Sequence, residues 1–254
     1  MQDRVLAIRR DLHRHPELSW EEHRTQRTIL DELRRLGLDD VRPVAKTGAT
    51  ALLRGARPGP CVLWRADIDA LPIPERNDLP FASETPGVMH ACGHDAHVAI
   101  ALGIASVLAG CRERLTGNVR FVFQPAEEHA GGAQACVADG VLANPHVDRA
   151  LGLHISADVP AGALNVAPGP FFAAPTFFRI VVRGMGGHAA APQQAIDAVV
   201  VAAHAITALQ TVVSRSLPPL ETALLTVGKV EAGYRANVIA ETATLEGTIR
   251  TYTD

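Results

Sequence analysis

The chain of 254 residues is poor in cysteine and has no large surplus of charge of either sign. Four cysteines are too few for a disulfide scaffold, so we expect reduced thiols and a cytoplasmic protein. Lys and Arg number 24 against 27 Asp and Glu, and this net charge of -3 lacks the basic surplus of nucleic-acid-binding proteins. No uninterrupted apolar run approaches the roughly 18 residues of a membrane span, and the first residues do not resemble a secretory signal. We therefore expect neither nucleic acid nor a membrane as a partner.

Apolar residues make up 47% of the chain, which is enough to bury a substantial core. Short apolar runs that are typical of buried strands occur at 49–53, 61–66, 119–123 and 150–153. They alternate with predicted helices, of which the one at 97–108 is small and apolar nearly all round. This alternation predicts an α/β fold, with a mostly parallel sheet and helices on both faces.

The pattern changes near residue 175. A Gly- and Pro-rich stretch at 161–175 predicts a hairpin and a linker. Beyond it, strands are predicted at 176–182, 223–230 and 243–250, together with a long helix at about 195–214. We therefore expect two domains, a larger one over residues 1–175 and a smaller α+β one over residues 176–254.

Residues that bind cations follow three of the predicted strands. The strand at 61–66 leads to Asp67 and Asp69, the strand at 119–123 to the pair Glu127 and Glu128, and the strand at 150–153 to His154. The carboxyl ends of parallel strands meet at one edge of a sheet, where ligands bind in open α/β folds. We therefore expect these side chains to converge.

A thiol and an imidazole lie between the first two of these strands. Cys92 and His94 are separated only by a glycine, and Asp95 and His97 follow. Thiolate and imidazole suit zinc and, less selectively, other first-row metals. The alternative is a buried structural cysteine beside a histidine that caps a helix. In the metal hypothesis, Asp67 orients a ligand, because metal-bound imidazoles usually need such a partner.

Consecutive extended residues point their side chains apart, so Glu127 and Glu128 can serve different roles. One carboxylate can bind a metal while the other faces bound water as a general base. An exposed acidic loop is the alternative. In the smaller unit, His188 follows a glycine turn and could stabilise an oxyanion. Asn237 and Arg250 are candidates to bind a substrate carboxylate, since a guanidinium matches its geometry.

Several motifs in this order resemble one enzyme family. They are Arg10–Leu18 (RDLHRHPEL), Arg65–Pro72 (RADIDALP), Met89–His97 (MHACGHDAH), Phe123–Glu128 (FQPAEE), Gly152–His154 (GLH), Gly186–Ala189 (GGHA), Asn237–Ile239 (NVI) and Gly247–Arg250 (GTIR). The chain resembles the N-acyl-amino-acid amidohydrolases, the group of hippurate hydrolase, bacterial aminoacylase and the plant auxin-conjugate hydrolases. These belong to the wider dinuclear-metal aminoacylase and carboxypeptidase family. The resemblance extends over nearly the whole chain.

The resemblance implies a catalytic domain that holds two divalent metal ions (Mn, Zn, Co or Ni) and an inserted lid domain used for dimerisation. Carried over by motif, the metal ligands would be Cys92, which bridges the ions, together with His94, Glu128 and His154. Glu127 would be the general base, and His188 would complete the site, often that of the partner subunit. Asp67 and Asp95 would support the ligands, and Asn237 and Arg250 would face the substrate. The domain at 176–254 would be the lid, and we expect a homodimer.

The expected activity is metal-dependent hydrolysis of the amide bond of N-acyl amino acids. A thiol hydrolase, with Cys92 as nucleophile and His94 or His97 as base, is one alternative. Members of the resembled family continue beyond the position of residue 254 and supply a last histidine ligand there. We therefore expect a C-terminally truncated chain, and an inactive or impaired fragment is the second alternative.

Overall fold

The computed structural model describes residues 2–129 and 131–253, which fall into two compact units, Met1–Ala163 and Leu164–Asp254. The boundary predicted at residue 175 lies just inside the first strand of the second unit. The assignment of a catalytic domain to residues 1–175 and a lid to residues 176–254 stays a prediction.

The first unit alternates helices with strands. Its helices are α1 (Gln2–Arg14), α2 (His23–Arg35), α3 (His94–Gly110) and α4 (Gly132–Ala138), with a 3₁₀ turn at Arg112–Arg114. Its strands are β1 (Asp39–Val44), β2 (Gly48–Arg54), β3 (Arg57–Asp67), β4 (Thr116–Gln124) and β5 (Arg149–Gly152).

These strands form one sheet in the order β1-β2-β4-β3-β5. β4, β3 and β5 run parallel, as predicted, whereas β2 and β1 extend the sheet antiparallel on one side. In the parallel part, Asp67 lies opposite Gln124 and Arg65 lies opposite Gly152. The loops that follow β3, β4 and β5 therefore all leave from the same edge of the sheet.

Helices cover both faces of this sheet, which confirms the predicted α/β architecture. On one face α1, α2 and α3 contribute residues such as Leu12 and Ile29, which pack with Phe121 and Phe123 of β4. On the other face Cys136 of α4 belongs to a smaller cluster with β3 and β4. Successive side chains of β4 point to opposite faces, so Phe121 and Phe123 belong to the first cluster and Val122 to the second.

The second unit is an antiparallel sheet covered by one long helix. Its elements are β6 (Ala174–Arg183), β7 (Gly187–His188), a 3₁₀ turn (Pro192–Gln194), α5 (Ala198–Thr211), a π turn (Val212–Ser216), β8 (Ala223–Ala232), β9 (Val238–Ile239) and β10 (Thr242–Thr251). The order β6-β10-β8 is antiparallel throughout, and β7 pairs with β9. Ala198 and Ala202 of α5 pack against Ala243 and Leu245 of β10. This is the predicted small α+β unit.

The prediction of a hairpin within 161–175 is wrong, because the described backbone has no strand in this segment before Ala174. Pro168 and Pro170 lack the N–H groups that a strand ladder requires, so the segment runs through turns instead.

Helix α5 and the π turn after it form an apolar segment of 19 residues, Ala198–Ser216, with a mean hydropathy of 1.4 over its most apolar window. By length and composition this segment could cross a membrane. One such helix is weak evidence for a span, because core helices of soluble proteins have the same composition. The expectation that no membrane is a partner stays a prediction.

Candidate metal centre

His94 is at the centre of the polar cluster beyond the sheet edge. It is the first residue of α3 and follows Gly93, whose φ of +82° places it in the left-handed region. A Cβ atom at Gly93 would meet only the end of the exposed Ile155 side chain, which can move, so it is the backbone conformation that favours glycine here. The His94 ring is 1% exposed, and its Nδ1 lies 2.9 Å from the carbonyl oxygen of Asp69. Its orientation is therefore well defined.

The other ring nitrogen of His94, Nε2, is buried and has no hydrogen-bond partner among the described residues. Carboxylate oxygens surround it: Asp67 Oδ2 at 3.5 Å, Glu128 Oε1 at 3.8 Å and Glu127 Oε2 at 4.0 Å. A buried imidazole nitrogen without a partner is costly unless something binds it. Nε2 of His94 thus faces the space between three carboxylates.

Cys92 and His154 lie beside the same imidazole. Cys92 Sγ is 3.2 Å from His154 Nε2. Three sets of residues bring possible ligand atoms within 4.8 Å of one another: Cys92, His94 and His154; Asp67, His94 and His97; and His94, Glu127 and Glu128. His94 is common to all three sets, so the sets form one continuous cluster.

The donor atoms of this cluster fit divalent cations. A thiol, imidazole nitrogens and carboxylate oxygens are the ligands of zinc and of other first-row metals. Burial lowers the pKa of His94, but the neighbouring Asp69, Cys92 and Asp67 outweigh burial and raise it to about 10. The surrounding anions therefore favour positive charge strongly at this position, which is what a cation site requires.

The two adjacent glutamates differ in environment. The side chain of Glu127 is 40% exposed and that of Glu128 is 22% exposed. The pKa of Glu127 is raised, first by burial and then by the charges of Glu128 and Asp67. The backbone N–H of Glu128 donates to Asp69 Oδ2 at 3.0 Å, which fixes the backbone at that residue.

Asp67 links the metal cluster to its surroundings. Its Oδ1 accepts from His97 Nδ1 at 2.5 Å, and its Oδ2 accepts from Arg65 Nη1 at 2.6 Å. His97 Nε2 in turn accepts from the N–H of Ile155 at 3.0 Å, next to His154. Burial raises the pKa of Asp67, but His97 and Arg65 more than offset this effect and keep it low. Asp67 is therefore an ionised group that connects both imidazole-bearing segments.

Asp95, which was expected to support the ligands, has its side chain on the α1 side of α3. Its Oδ2 accepts from His13 Nδ1 at 2.9 Å and from Arg9 Nε at 3.1 Å. It belongs to none of the three ligand sets. Asp95 could therefore support His94 only indirectly, by holding α3 against α1.

In the second unit, backbone hydrogen bonds join the segments of His188 and Asn237, whereas Arg250 lies near the far end of β10. His188 is exposed on β7, pairs with Val238 and accepts from the N–H of Ala190 at its Nδ1. The N–H of Ala189 donates to the carbonyl of Asn237. Arg250 is on β10, eight residues beyond Thr242, which corresponds to about 26 Å of strand. The roles predicted for these three residues are untested.

Asp69 and His97 both contact this cluster, although the expected set of metal ligands included neither. The available signal for Asp69 was its spacing of two from Asp67, which places both side chains on one side of an extended segment. The signal for His97 was its spacing of three from His94 on a helix, which places both rings on one face. A further residue, Glu22, was missed altogether, and no local pattern pointed to it.

Comparison with known proteins agrees with this chemistry. Residues 63–248 match Peptidase family M20/M25/M40. The chain belongs to this family. It is 44% identical over 253 residues to an N-acetyl-L-cysteine deacetylase of Bacillus subtilis, covering 99% of this chain and 60% of the relative. It is 43% identical over 249 residues to an N-acyl-L-amino acid amidohydrolase of Geobacillus stearothermophilus, covering 98% of this chain and 67% of that protein.

A solved structure also matches this M20 chain. A Bacillus subtilis protein described as a dinuclear metal binding peptidase of the M20 family superimposes with a TM-score of 0.81 at 40% identity. The match covers 99% of this chain and 65% of that one. The chain thus spans about 60 to 67% of the length of the relatives with which it is compared. The predicted family resemblance is confirmed.

Proposed function

We propose that the protein hydrolyses the amide bond of N-acyl amino acids with the help of two divalent metal ions. One observation carries the proposal. Nε2 of the buried His94, which has no hydrogen-bond partner in the described part of the chain, lies among three carboxylates, and a thiol and a second imidazole lie beside the same ring. The names of the relatives support the substrate class, since two of them are a deacetylase and an amidohydrolase of acylated amino acids.

In this proposal the ligands are Cys92, His94, Glu128 and His154. Bound cations would supply Lewis acidity, which can lower the pKa of water to about 7. Glu127 removes a proton from the attacking water and returns it to the leaving nitrogen. In the metal-free protein, burial raises the pKa of Glu127, which is the direction that a general base requires. The hydrogen bonds of Asp67 and His97 hold the imidazole-bearing segments in place.

Other parts of the proposal rest chiefly on the family resemblance. His188 would donate to the carbonyl oxygen of the substrate, and Asn237 and Arg250 would bind its carboxylate. Asp95 would support the ligands from the side of α1. A cytoplasmic homodimer that forms through the second unit is the assembly that we propose. The identity of the ions among Mn, Zn, Co and Ni depends on supply as well as on the ligands.

A second candidate is a thiol hydrolase, because Cys92 Sγ lies 3.2 Å from His154 Nε2. This contact would pair a nucleophile with a base. The base would then be His154, not His94 or His97 as the sequence suggested. A cysteine–histidine pair alone does not account for the three carboxylates around His94, and the metal proposal does.

Removal of metal separates the two candidates. The purified protein is dialysed against a chelator, and hydrolysis of N-acetyl amino acids is measured before and after Mn²⁺, Zn²⁺ or Co²⁺ is added back. The metal proposal predicts that activity is lost on chelation and recovers with a divalent ion. Activity that survives complete removal of metal would favour the thiol mechanism. A protein that binds no divalent ion and has no activity would contradict both candidates and favour the inactive fragment.

A further inference from the structure

The segment between α1 and α2 holds a buried glutamate, Glu22, whose role the proposed chemistry does not include. Glu22 is 0% exposed and occupies the residue before the first turn of α2. Side chains at this position usually accept hydrogen bonds from the first N–H groups of the helix. The carboxylate of Glu22 makes no such bond. Instead, Glu17 accepts from the N–H groups of Arg24 and Thr25.

The carboxylate of Glu22 is directed across the unit to the loop that carries the paired glutamates. Its Oε1 accepts from the N–H of Ala126 at 2.8 Å, and its Oε2 accepts from Thr47 Oγ1 at 2.5 Å. Ala126 directly precedes Glu127. The residue that precedes α2 therefore contacts the backbone of the proposed catalytic loop, 104 positions further along the chain.

The loop has a backbone conformation that needs such support. Ala126 has a φ of +48°, which residues other than glycine rarely adopt, and it is fully buried. The next turn is equally tight, because a Cβ atom at Gly132 would lie only 1.7 Å from the carbonyl oxygen of Pro125. Strained residues persist only where their surroundings fix them. The bond from Ala126 to Glu22 is one such constraint, and the bond from the Glu128 N–H to Asp69 is a second.

We infer that Glu22 is a positioning residue, which holds the Pro125–Glu128 backbone so that the carboxylates of Glu127 and Glu128 face His94. This inference deepens the proposed function and rests on it. If the Glu22 carboxylate is removed, the N–H of Ala126 is left buried without an acceptor, and relaxation of the φ of Ala126 becomes favourable. The side chains of Glu127 and Glu128 would then move away from His94, and the cluster would lose part of its affinity for cations.

The matched substitutions follow from the hydrogen bonds. Glu22→Ala removes both acceptors, whereas Glu22→Gln keeps one oxygen for the N–H of Ala126 and offers an amide donor to Thr47 Oγ1. Burial raises the pKa of Glu22, so its charge is held at a cost that the amide avoids. Glu32→Ala is the control, because Glu32, within α2, is also a buried carboxylate, but it pairs with Arg4 and Arg35, away from the loop.

The first measurement is hydrogen–deuterium exchange of the metal-free protein, followed by mass spectrometry on peptides that span residues 124–129. We expect exchange in these peptides to be about tenfold faster in Glu22→Ala, because the acceptor for the N–H of Ala126 is lost. Glu22→Gln and Glu32→Ala should leave it near the wild-type rate. Unchanged exchange in a folded Glu22→Ala protein would overturn the inference without bearing on the proposed function.

The second measurement is Co²⁺ binding by isothermal titration calorimetry. We expect Glu22→Ala to lose about 10- to 100-fold in Co²⁺ affinity, as is typical when a group that orients a metal ligand is removed. Glu22→Gln should restore most of it, and Glu32→Ala should match the wild type. Equal affinity in all four proteins would overturn the inference while leaving the metal proposal intact. If the wild type binds no Co²⁺, the proposed function fails and the inference fails with it.

If Glu22→Ala does not fold, Thr47→Val provides the same test. This change removes the hydroxyl that donates to Glu22 but keeps the carboxylate and the shape of the Thr47 side chain. We expect the same two effects in the same direction and of smaller size, with Thr47→Ser close to the wild type. Wild-type exchange and affinity in Thr47→Val would then overturn the inference.

Discussion

The two units differ in what they bury. The first unit buries ionisable groups beyond the edge of its sheet, among them Asp67, Asp69, His94 and His97. In the described part of the second unit, the buried positions are apolar, as at Ala202 and Leu245. Burying charge is costly unless the charge is paired or binds a cation. The buried charges of the first unit therefore point to a binding site for a cation, whereas the buried residues of the second unit serve to pack its helix against its sheet.

The second unit also differs in its surface, which exposes large apolar side chains. In the second unit, Phe177 of β6 is 76% exposed and Leu224 of β8 is 63% exposed, on the sheet face away from α5. Helix α5 adds Val200, which is 51% exposed. Apolar surface of this kind is typical of an interaction site. It supports the proposed homodimer.

The largest effect that we predict tests the chemistry of the first unit. Glu127→Gln should lower kcat by about 10²- to 10⁴-fold, because the amide cannot accept the proton of the attacking water. The affinity for divalent ions should stay near the wild-type value, whereas the matched change Glu128→Gln should weaken it. Steady-state kinetics and calorimetry on the metal-loaded proteins provide the comparison. A metal-loaded Glu127→Gln enzyme with substantial activity would remove Glu127 from the role of base.

The next effect tests whether packing dominates the second unit. Leu245→Ala should lower the free energy of unfolding by about 2–5 kcal/mol, since it leaves a cavity beneath α5. Leu245 is 0% exposed. Phe177→Ser on the opposite face should change the stability of the monomer by no more than about 0.5 kcal/mol. Urea unfolding followed by circular dichroism measures both. Similar losses from the two changes would mean that the exposed face is packed as tightly as the covered one.

A smaller effect is expected at Asp67, which connects the imidazole-bearing segments of the first unit. Asp67→Asn should weaken binding of divalent ions by about 10- to 100-fold, because it removes a charge beside His94 and alters the bond to His97. Asp31→Asn on the exposed surface of α2 is the control. Calorimetric titration with Zn²⁺ or Co²⁺ distinguishes them. An unchanged affinity in Asp67→Asn would mean that Asp67 stabilises the fold and has no part in cation binding.

The smallest effect concerns the start of α5. Asp197 Oδ1 accepts from the N–H groups of Val199 and Val200, so Asp197→Ala should cost about 1 kcal/mol of stability. Asp197→Ser should restore most of this loss. Affinity for metal should not change, because the cap belongs to the second unit. A drop in metal affinity in Asp197→Ala would contradict the division of roles between the units.

Much of the fold could be predicted from local pattern. β3, β4 and α3 are each marked by an apolar run, and parallel pairing follows from their alternation. β1 was not predicted, because Asp39, Asp40 and Pro43 are poor strand formers. Pairing with β2 stabilises it, and its position at the edge of the sheet tolerates the proline.

The candidate site likewise has a part that the sequence could predict and a part that it could not. That Cys92, His94, Glu128 and His154 lie together could be expected, because the loops at the carboxyl ends of parallel strands converge. Their roles as metal ligands came from the family resemblance and stay a prediction. The contact between Glu22 and Ala126 could not, because a carboxylate at the start of a helix has the local pattern of a cap. Only the fold reveals that Glu17 takes that role and that Glu22 contacts a distant loop. Every residue except proline has a backbone N–H group, so the type of residue at position 126 could not show that a distant carboxylate binds there.

The central claim is that a thiol, two imidazoles and a carboxylate hold cations together at the sheet edge. X-ray absorption at the zinc edge of the Zn²⁺-loaded protein tests it most directly. The account predicts a sulfur neighbour at about 2.3 Å and nitrogen or oxygen neighbours at about 2.0–2.2 Å, with the sulfur signal lost in Cys92→Ser. A wild-type spectrum with no sulfur neighbour, or one that Cys92→Ser leaves unchanged, would contradict it.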